Sequence, residues 1–198
     1  MHKNGSATPP ACILQLESET ETLNFTMQSD RRIGSLLRTL AASKPGARIL
    51  ELGTGTGLSA AWLLNGMDKR ATLVTIDNDY RCSEIARKYL GKDPRISILF
   101  GDATQWLTDY KGQPFDLVFA DTWAGKYQEL ETALNLLSMG GIYLIDDMEE
   151  QQHWPPGHKA AARKLANILD RRKDLFCTRL NWASGIIIAV KTSTGLPV

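Results

Sequence analysis

Residues 48–59 read RILELGTGTGLS, an apolar run that breaks into Gly53, Gly55 and Gly57 and then resumes as a helical pattern. Glycines at those points let the chain turn tightly and bring bare backbone against a ligand. The helix behind them turns unbonded amides toward the same place. Glu51 stands inside the strand end. A carboxylate there suits a positively charged amino-acid group and repels a pyrophosphate. The spacing is Gly-x-Gly-x-Gly, not the Gly-x-Gly-x-x-Gly of dinucleotide-binding loops. The plainer alternative is a tight strand-to-helix turn with no ligand.

Downstream, strand-like runs recur at 72–76 (TLVTI), 96–100 (ISILF), 115–120 (FDLVFA) and 142–145 (IYLI). Helical patterns lie among them at about 58–67, 80–90, 103–110, 127–138 and 158–173. Upstream, 29–43 (SDRRIGSLLRTLAAS) carries Ile33, Leu36, Leu37 and Leu40 at helical spacing, opened by Ser29-Asp30 and stopped by Pro45-Gly46. Strands alternating with helices imply right-handed crossovers and a mostly parallel sheet. The end departs from that pattern. Strand 175–181 reaches strand 185–191 through Trp182, Ala183 and Ser184 alone, which permits only an antiparallel pair. Residues 1–24, with Thr8-Pro9-Pro10 and scattered acids, read as a loosely ordered arm before a single domain over 25–198.

The length of 198 residues suits one domain, and a domain of that size buries roughly 70% of its unfolded surface without staples. Lys and Arg number 23 against 22 Asp and Glu, a net charge of +1, so the chain carries no electrostatic footprint for nucleic acid or an anionic membrane. Cys12, Cys82 and Cys177 are scattered and odd in number, which argues for a reducing compartment and against disulfides or a zinc site. The start lacks the apolar core of a signal peptide, and the run Ile186 to Val190 is far too short to cross a bilayer. The expectation is a soluble, cytoplasmic protein whose partner is a small molecule, with no nucleic acid and no membrane; a homodimer is compatible with it.

In an open parallel sheet, ligands bind beyond the carboxyl ends of the strands. Those ends fall at Gly53, Asp77, Gly101-Asp102, Asp121 and Asp146-Asp147, a glycine loop and four acidic sites. Asp77, with Asn78 beside it, can accept from two ribose hydroxyls; its alternative is capping the helix near Tyr80, a job Asp79 can take instead. Asp102 can accept from an adenine amino group while the amides of Ala103 and Thr104 approach the ring, or it can simply cap its helix.

Taken together these elements resemble the class I S-adenosylmethionine-dependent methyltransferases, and within them the small O-methyltransferases of the catechol and caffeoyl-coenzyme A type. The likeness covers about residues 25–191. It is carried by Met27-Gln28, Gly34, Glu51-Leu52-Gly53, Gly57, Ser59, Asp121, Trp123, Tyr127 and Asp146-Asp147. The resemblance implies a Rossmann-like α/β sandwich of seven strands, order 3-2-1-4-5-7-6, mostly parallel with the last strand antiparallel. It implies S-adenosylmethionine as cofactor and S-adenosylhomocysteine as product, and methyl transfer to an oxygen. It places Glu51 and Ser59 near the methionine end, Asp77 on the ribose and Trp123 on the adenine, with Met27, Gly53, Gly55 and Asp121 also among the cofactor contacts.

Asp121, Asp146 and Asp147 follow adjacent strands, and three converging carboxylates repel one another unless a cation joins them. Oxygen ligands suit Mg2+, Mn2+ or Ca2+, and in the resembling family the matching residues hold such a metal. Two departures stand out. The lysine base of the catechol enzymes is replaced by Ala124, with Lys126 two positions on, and the aspartate pair ends in Asp147 where asparagine is common. The loop EEQQHWPPGH (149–158) sits past the pair, so Asp121 and His153 are the candidate catalytic bases. The rival readings are a metal-independent N- or O-methyltransferase, a protein that holds S-adenosylmethionine without turnover, and, last, a nicotinamide dehydrogenase.

Overall fold

In the computed structural model, which describes residues 8–151 and 154–193, helix α1 (Ile13–Thr22) and helix α2 (Arg31–Ala42) precede the first strand, β1 (Arg48–Leu52). Then come α3 (Leu58–Gly66), β2 (Thr72–Asp77), α4 (Tyr80–Leu90), β3 (Ile96–Phe100), α5 (Ala103–Asp109) and β4 (Phe115–Ala120). The chain continues with α6 (Leu130–Asn135), β5 (Leu137–Ile145), α7 (His158–Asp170), β6 (Leu175–Leu180) and β7 (Ile186–Lys191). The seven strands pair in the order β3-β2-β1-β4-β5-β7-β6. β1 to β5 are parallel, and β7 runs antiparallel to both its neighbours. This is the expected Rossmann-like sandwich.

Alternation along the strands builds two cores, one on each face. Ile49, Leu73, Leu117 and Phe119 point to the layer of α1, α2 and α3, joined by Leu90 of α4. Leu50, Leu52, Ile76 and Val118 point the other way, to Leu107 of α5, Ala133 and Leu134 of α6 and Leu165 and Leu169 of α7. Gly34 lets α2 close on α3, because a Cβ there would stand 2.2 Å from the Trp62 ring.

Two expectations need correction. The supposed arm is helical from Ile13 to Thr22, and Ile13, Leu16 and Thr20 are buried at the three-to-four spacing of a helix face. Gln15, Glu17, Ser18 and Glu19 between them hid that stripe. The helix expected over 127–138 shrinks to Leu130–Asn135, and β5 begins at Leu137 rather than at 142. Its early part pairs Leu137 with Phe115 across an irregularity that brings Ile142 opposite Leu117. Among the described residues no helix is long and apolar enough to cross a membrane.

Leu16 is fully buried in the core shared with α2 and α3, so Leu16→Ala should cost about 2–5 kcal/mol in urea unfolding. A loss under about 0.5 kcal/mol, as at an exposed position, would return this segment to the status of an arm.

Candidate active site

Because β1 to β5 are parallel, their carboxyl ends share one edge of the sheet, where the chain leaves at Gly53, Asp77, Gly101, Asp121 and Asp146. The chain lays β1, β2 and β3 on one side of the β1–β4 boundary and β4 and β5 on the other, and at such a reversal these sheets open a crevice. Gly53, Gly55 and Gly57 all take positive φ, so the loop turns as only glycine does easily.

Glu51 is fully buried and stands in register opposite Thr75 of β2. Thr75 Oγ1 donates to Glu51 Oε2 at 2.6 Å and shares a 2.6 Å bond with Thr54 Oγ1. A hydroxyl has one proton to give, so Thr54 is the donor to Thr75. Glu51 Oε1 is left buried with no partner. Burial pushes this carboxyl up to about 7, against the pull of the Ser59 and Thr75 hydroxyls. A buried bare acceptor calls for a ligand donor.

Asp77 ties two loops together, accepting from the Gly55 amide at 2.7 Å and the Asp79 amide at 2.8 Å. The helix cap belongs to Asp79, which accepts from the amides of Arg81 and Cys82. Asn78 is exposed beside it. Asp102 does cap its helix, with Oδ1 accepting from Thr104 at 2.7 Å and Gln105 at 3.1 Å, and Ala103 opens α5. Sequence reasoning missed an edge-on pair here: Tyr80 and Phe100, both exposed, meet with centroids 5.7 Å apart between Asp77 and Asp102.

The segment before α2 lies on the glycine loop. Thr20 Oγ1 bonds Thr56 Oγ1 at 2.6 Å, Phe25 packs on Gly55, and Ser29 Oγ donates to Asp121 Oδ2 at 3.0 Å. Met27, by contrast, is 77% exposed. Phe25 and Ser29 flank the quoted Met27-Gln28 pair, and that proximity was the one signal for them.

On the far side Trp123, half-exposed, meets Tyr127 edge-on at 5.1 Å and tilts on His158 at 5.8 Å. Trp154 stacks on His158 at 4.1 Å. His158 Nε2 lies 2.9 Å from Tyr127 Oη and 3.6 Å from Asp147 Oδ2, while Nδ1 is buried without a partner. Burial holds this imidazole below its ordinary range, hence neutral near pH 7. His153 lies outside the described residues. His158 escaped notice because its burial comes from α7 packing, which one histidine after Gly157 does not announce.

Asp121, Asp146 and Asp147 do gather at the ends of β4 and β5, but not as the expected cation shell. Asp146 Oδ1 accepts from the Asp147 amide at 2.7 Å and from Ser184 Oγ, and Asp147 Oδ1 accepts from Trp154 Nε1 at 2.7 Å. Asp147 holds a left-handed backbone, φ 58°, which turns its carboxylate toward Trp154 and His158. Among the described residues no three His, Cys, Asp or Glu side chains are disposed to hold a metal ion. The donor set does not fit a resident divalent cation. Burial first, then the Asp146 charge, raises Asp121 well above the usual carboxylate range.

Residues 50–148 match the family model for a methyltransferase domain. A protein of Mycobacterium ulcerans provisionally named an O-methyltransferase is 32% identical over 169 residues, 80% of this chain and 75% of its own length. The chain belongs to the methyltransferase family. The catechol O-methyltransferase of Mycobacterium tuberculosis is 32% identical over 121 residues, 58% of this chain and 54% of that protein, so the match spans about half of that relative. The O-methyltransferase TomG of Streptomyces achromogenes, solved with S-adenosylmethionine, superposes with a TM-score of 0.81 at 24% identity, covering 92% of this chain and 90% of that one. The O-methyltransferase of Bacillus cereus, solved with S-adenosylhomocysteine, gives 0.79 at 22%, covering 92% and 91%. At those identities the structural likeness carries the fold.

In this member of the methyltransferase family the bare Glu51 oxygen beside the glycine loop is an acceptor open to a ligand donor such as an ammonium. Glu51 must lose its proton to receive that ammonium, so S-adenosylhomocysteine affinity should rise with pH through about 7. Below that value it should weaken up to about tenfold per pH unit. Glu51→Gln should bind more weakly and with a flat pH profile; calorimetry across the range checks both, and a wild-type Kd indifferent to pH would detach Glu51 from the cofactor.

Proposed function

We propose that this chain transfers the methyl group of S-adenosylmethionine to an oxygen of a small-molecule acceptor. The observation that carries it is the buried, unpartnered Glu51 Oε1 at the glycine loop, with the raised carboxyl of Asp121 at the end of the neighbouring strand β4. Glu51, the Gly53–Gly57 loop and Ser59 would hold the amino-acid end, Asp77 the ribose, and Ala103 with the Tyr80–Phe100 pair the base. When bound, this cofactor supplies a methyl carbon on a positively charged sulfur, which makes it strongly electrophilic.

The protein's remaining tasks are orientation and removal of a proton. Asp121 is the group we assign to the proton: it takes the acceptor O–H hydrogen as the new O–C bond forms and the S–C bond breaks. A carboxyl raised above its ordinary range holds a proton better than an exposed aspartate does, which is what a base near neutral pH requires. Ser29 fixes one of its oxygens. Tyr127 is raised by burial and so keeps its proton. Neutral His158 and the flanking Trp123 and Trp154 form a wall with little charge, suited to a flat apolar acceptor. Three free thiols, Cys12, Cys82 and Cys177, favour a reducing compartment, consistent with the cytoplasm.

The test is S-adenosylhomocysteine release over a panel of phenols, carboxylic acids and amines. Turnover is expected with a hydroxyl-bearing acceptor, and Asp121→Asn should lower kcat about 10²–10⁴-fold. Turnover confined to amines would move the acceptor atom to nitrogen, and none across the panel would leave only a cofactor-binding protein.

A further inference from the structure

The crevice holds a charged group that the transfer reaction has not used. Lys126 is 4% exposed, and its Nζ donates to the Asp146 carbonyl at 2.7 Å, with the Tyr127 ring centroid 5.3 Å away. That is one hydrogen bond for an ammonium with three donors. Burial disfavours this ammonium and holds it below its ordinary range, and the charges of Asp121, Asp147 and Asp146 oppose that shift. A buried lysine without counter-charges, or buried carboxylates without a cation, would each be costly; together they offset one another.

Lys126 is delivered there by a built turn. The Trp123 carbonyl accepts from the amides of Lys126 at 3.2 Å, Tyr127 at 2.9 Å and Gln128 at 3.0 Å, and the Gly125 amide donates to Gln128 at 2.7 Å. Tyr143 of β5 donates from its hydroxyl to the Gly125 carbonyl at 2.8 Å. Gly125 sits at φ +78°, and a Cβ there would lie 2.5 Å from Leu52 and 2.6 Å from the Tyr143 oxygen. Gly125 therefore packs closely against both β1 and β5, and Lys126 follows directly from that packed turn.

We infer that Lys126 is the resident cation of this site, taking the electrostatic place of a divalent metal, so that the three strand-end carboxylates are served by an ammonium instead of a bound ion. It is a positioning residue: it keeps Asp121, Asp146 and Asp147 gathered and holds the β5 end through the Asp146 carbonyl. A divalent ion entering the cluster would meet a fixed positive charge and carboxylates already bonded to Ser29, Ser184, Trp154 and the Asp147 amide. This rests on the proposed transfer only for its consequence, that turnover needs no added metal.

Cation binding tests it without reference to turnover. Calorimetry of Mg2+, Mn2+ and Ca2+ into the full chain, with and without S-adenosylhomocysteine, should show no saturable binding tighter than about 1 mM. Terbium, whose luminescence Trp123 or Trp154 would sensitise, should stay dark. Lys126→Ala should gain cation affinity at least tenfold and a melting temperature that rises with Ca2+; adding Asp146→Asn should remove both. Lys126→Arg should stay indifferent to cations. Wild-type binding that Asp146→Asn abolishes overturns the inference, as does a folded Lys126→Ala with no gain. Should Lys126→Ala fail to fold, the wild-type titration and Lys126→Arg still decide. Absence of turnover over every acceptor would sink the transfer reading and leave this one standing.

Discussion

At the carboxyl edge of the sheet the main-chain ladder runs one residue past β1, β3, β4 and β5. The Gly53 amide donates to the Ile76 carbonyl at 3.0 Å, Gly101 to Asp77 at 2.9 Å, Asp121 to Leu52 at 3.0 Å and Asp146 to Ala120 at 3.3 Å. Each of these donors is the first residue of a crevice loop, so the loops begin from positions set by the pairing itself. A one-residue slip of any strand would turn its side chains to the opposite face and take Glu51 from Thr75. The apolar alternation that fills the two cores makes such a slip costly, and the core thereby fixes the chemistry at its edge.

That arrangement asks the fold to bury charge. Glu51, raised by burial, binds a proton more tightly in the folded chain than in the unfolded one. Its contribution to stability is therefore present at low pH and lost as pH rises from its ordinary value, 4.5, through about 7. A ligand ammonium would reverse that loss, because the charge would then have a partner. The free protein thus holds an unfavourable carboxylate in readiness, one form of the preorganisation on which catalytic sites depend.

The strand runs, the antiparallel end and the strand-end acids were legible because they follow from local pattern: apolar alternation, a three-residue connection and the position of an acid one step beyond a strand. What escaped was set by contacts distant in sequence. α1 hid its stripe among polar residues, and only Leu16 and Ile13 meeting α2 and α3 reveal it. The division of work between Asp77 and Asp79 was readable because caps are local. The partners of the strand-end acids were hidden for the opposite reason, since Ser184 comes from the β6–β7 turn and Trp154 from the loop before α7. No spacing rule around Asp146 announces either partner.

The crevice therefore divides by what holds it. On the side of β1, β2 and β3 the loops are fixed by backbone ladder bonds, glycine conformations and short polar side chains that bond nearby backbone and hydroxyls. On the side of β4 and β5 the geometry depends on side chains reaching across: Tyr143 to Gly125, Lys126 to the Asp146 carbonyl, Trp154 to Asp147, His158 to Tyr127. Substitution on the first side acts on the glycines, the acids and the threonine hydroxyls of Thr20, Thr54, Thr56 and Thr75 that tie them together. On the second side a change at Trp123, Trp154 or His158 reshapes the wall while the ladder beneath it stays in place. A division of this kind lets one cofactor seat coexist with different acceptor pockets, because the two are held by different kinds of bond.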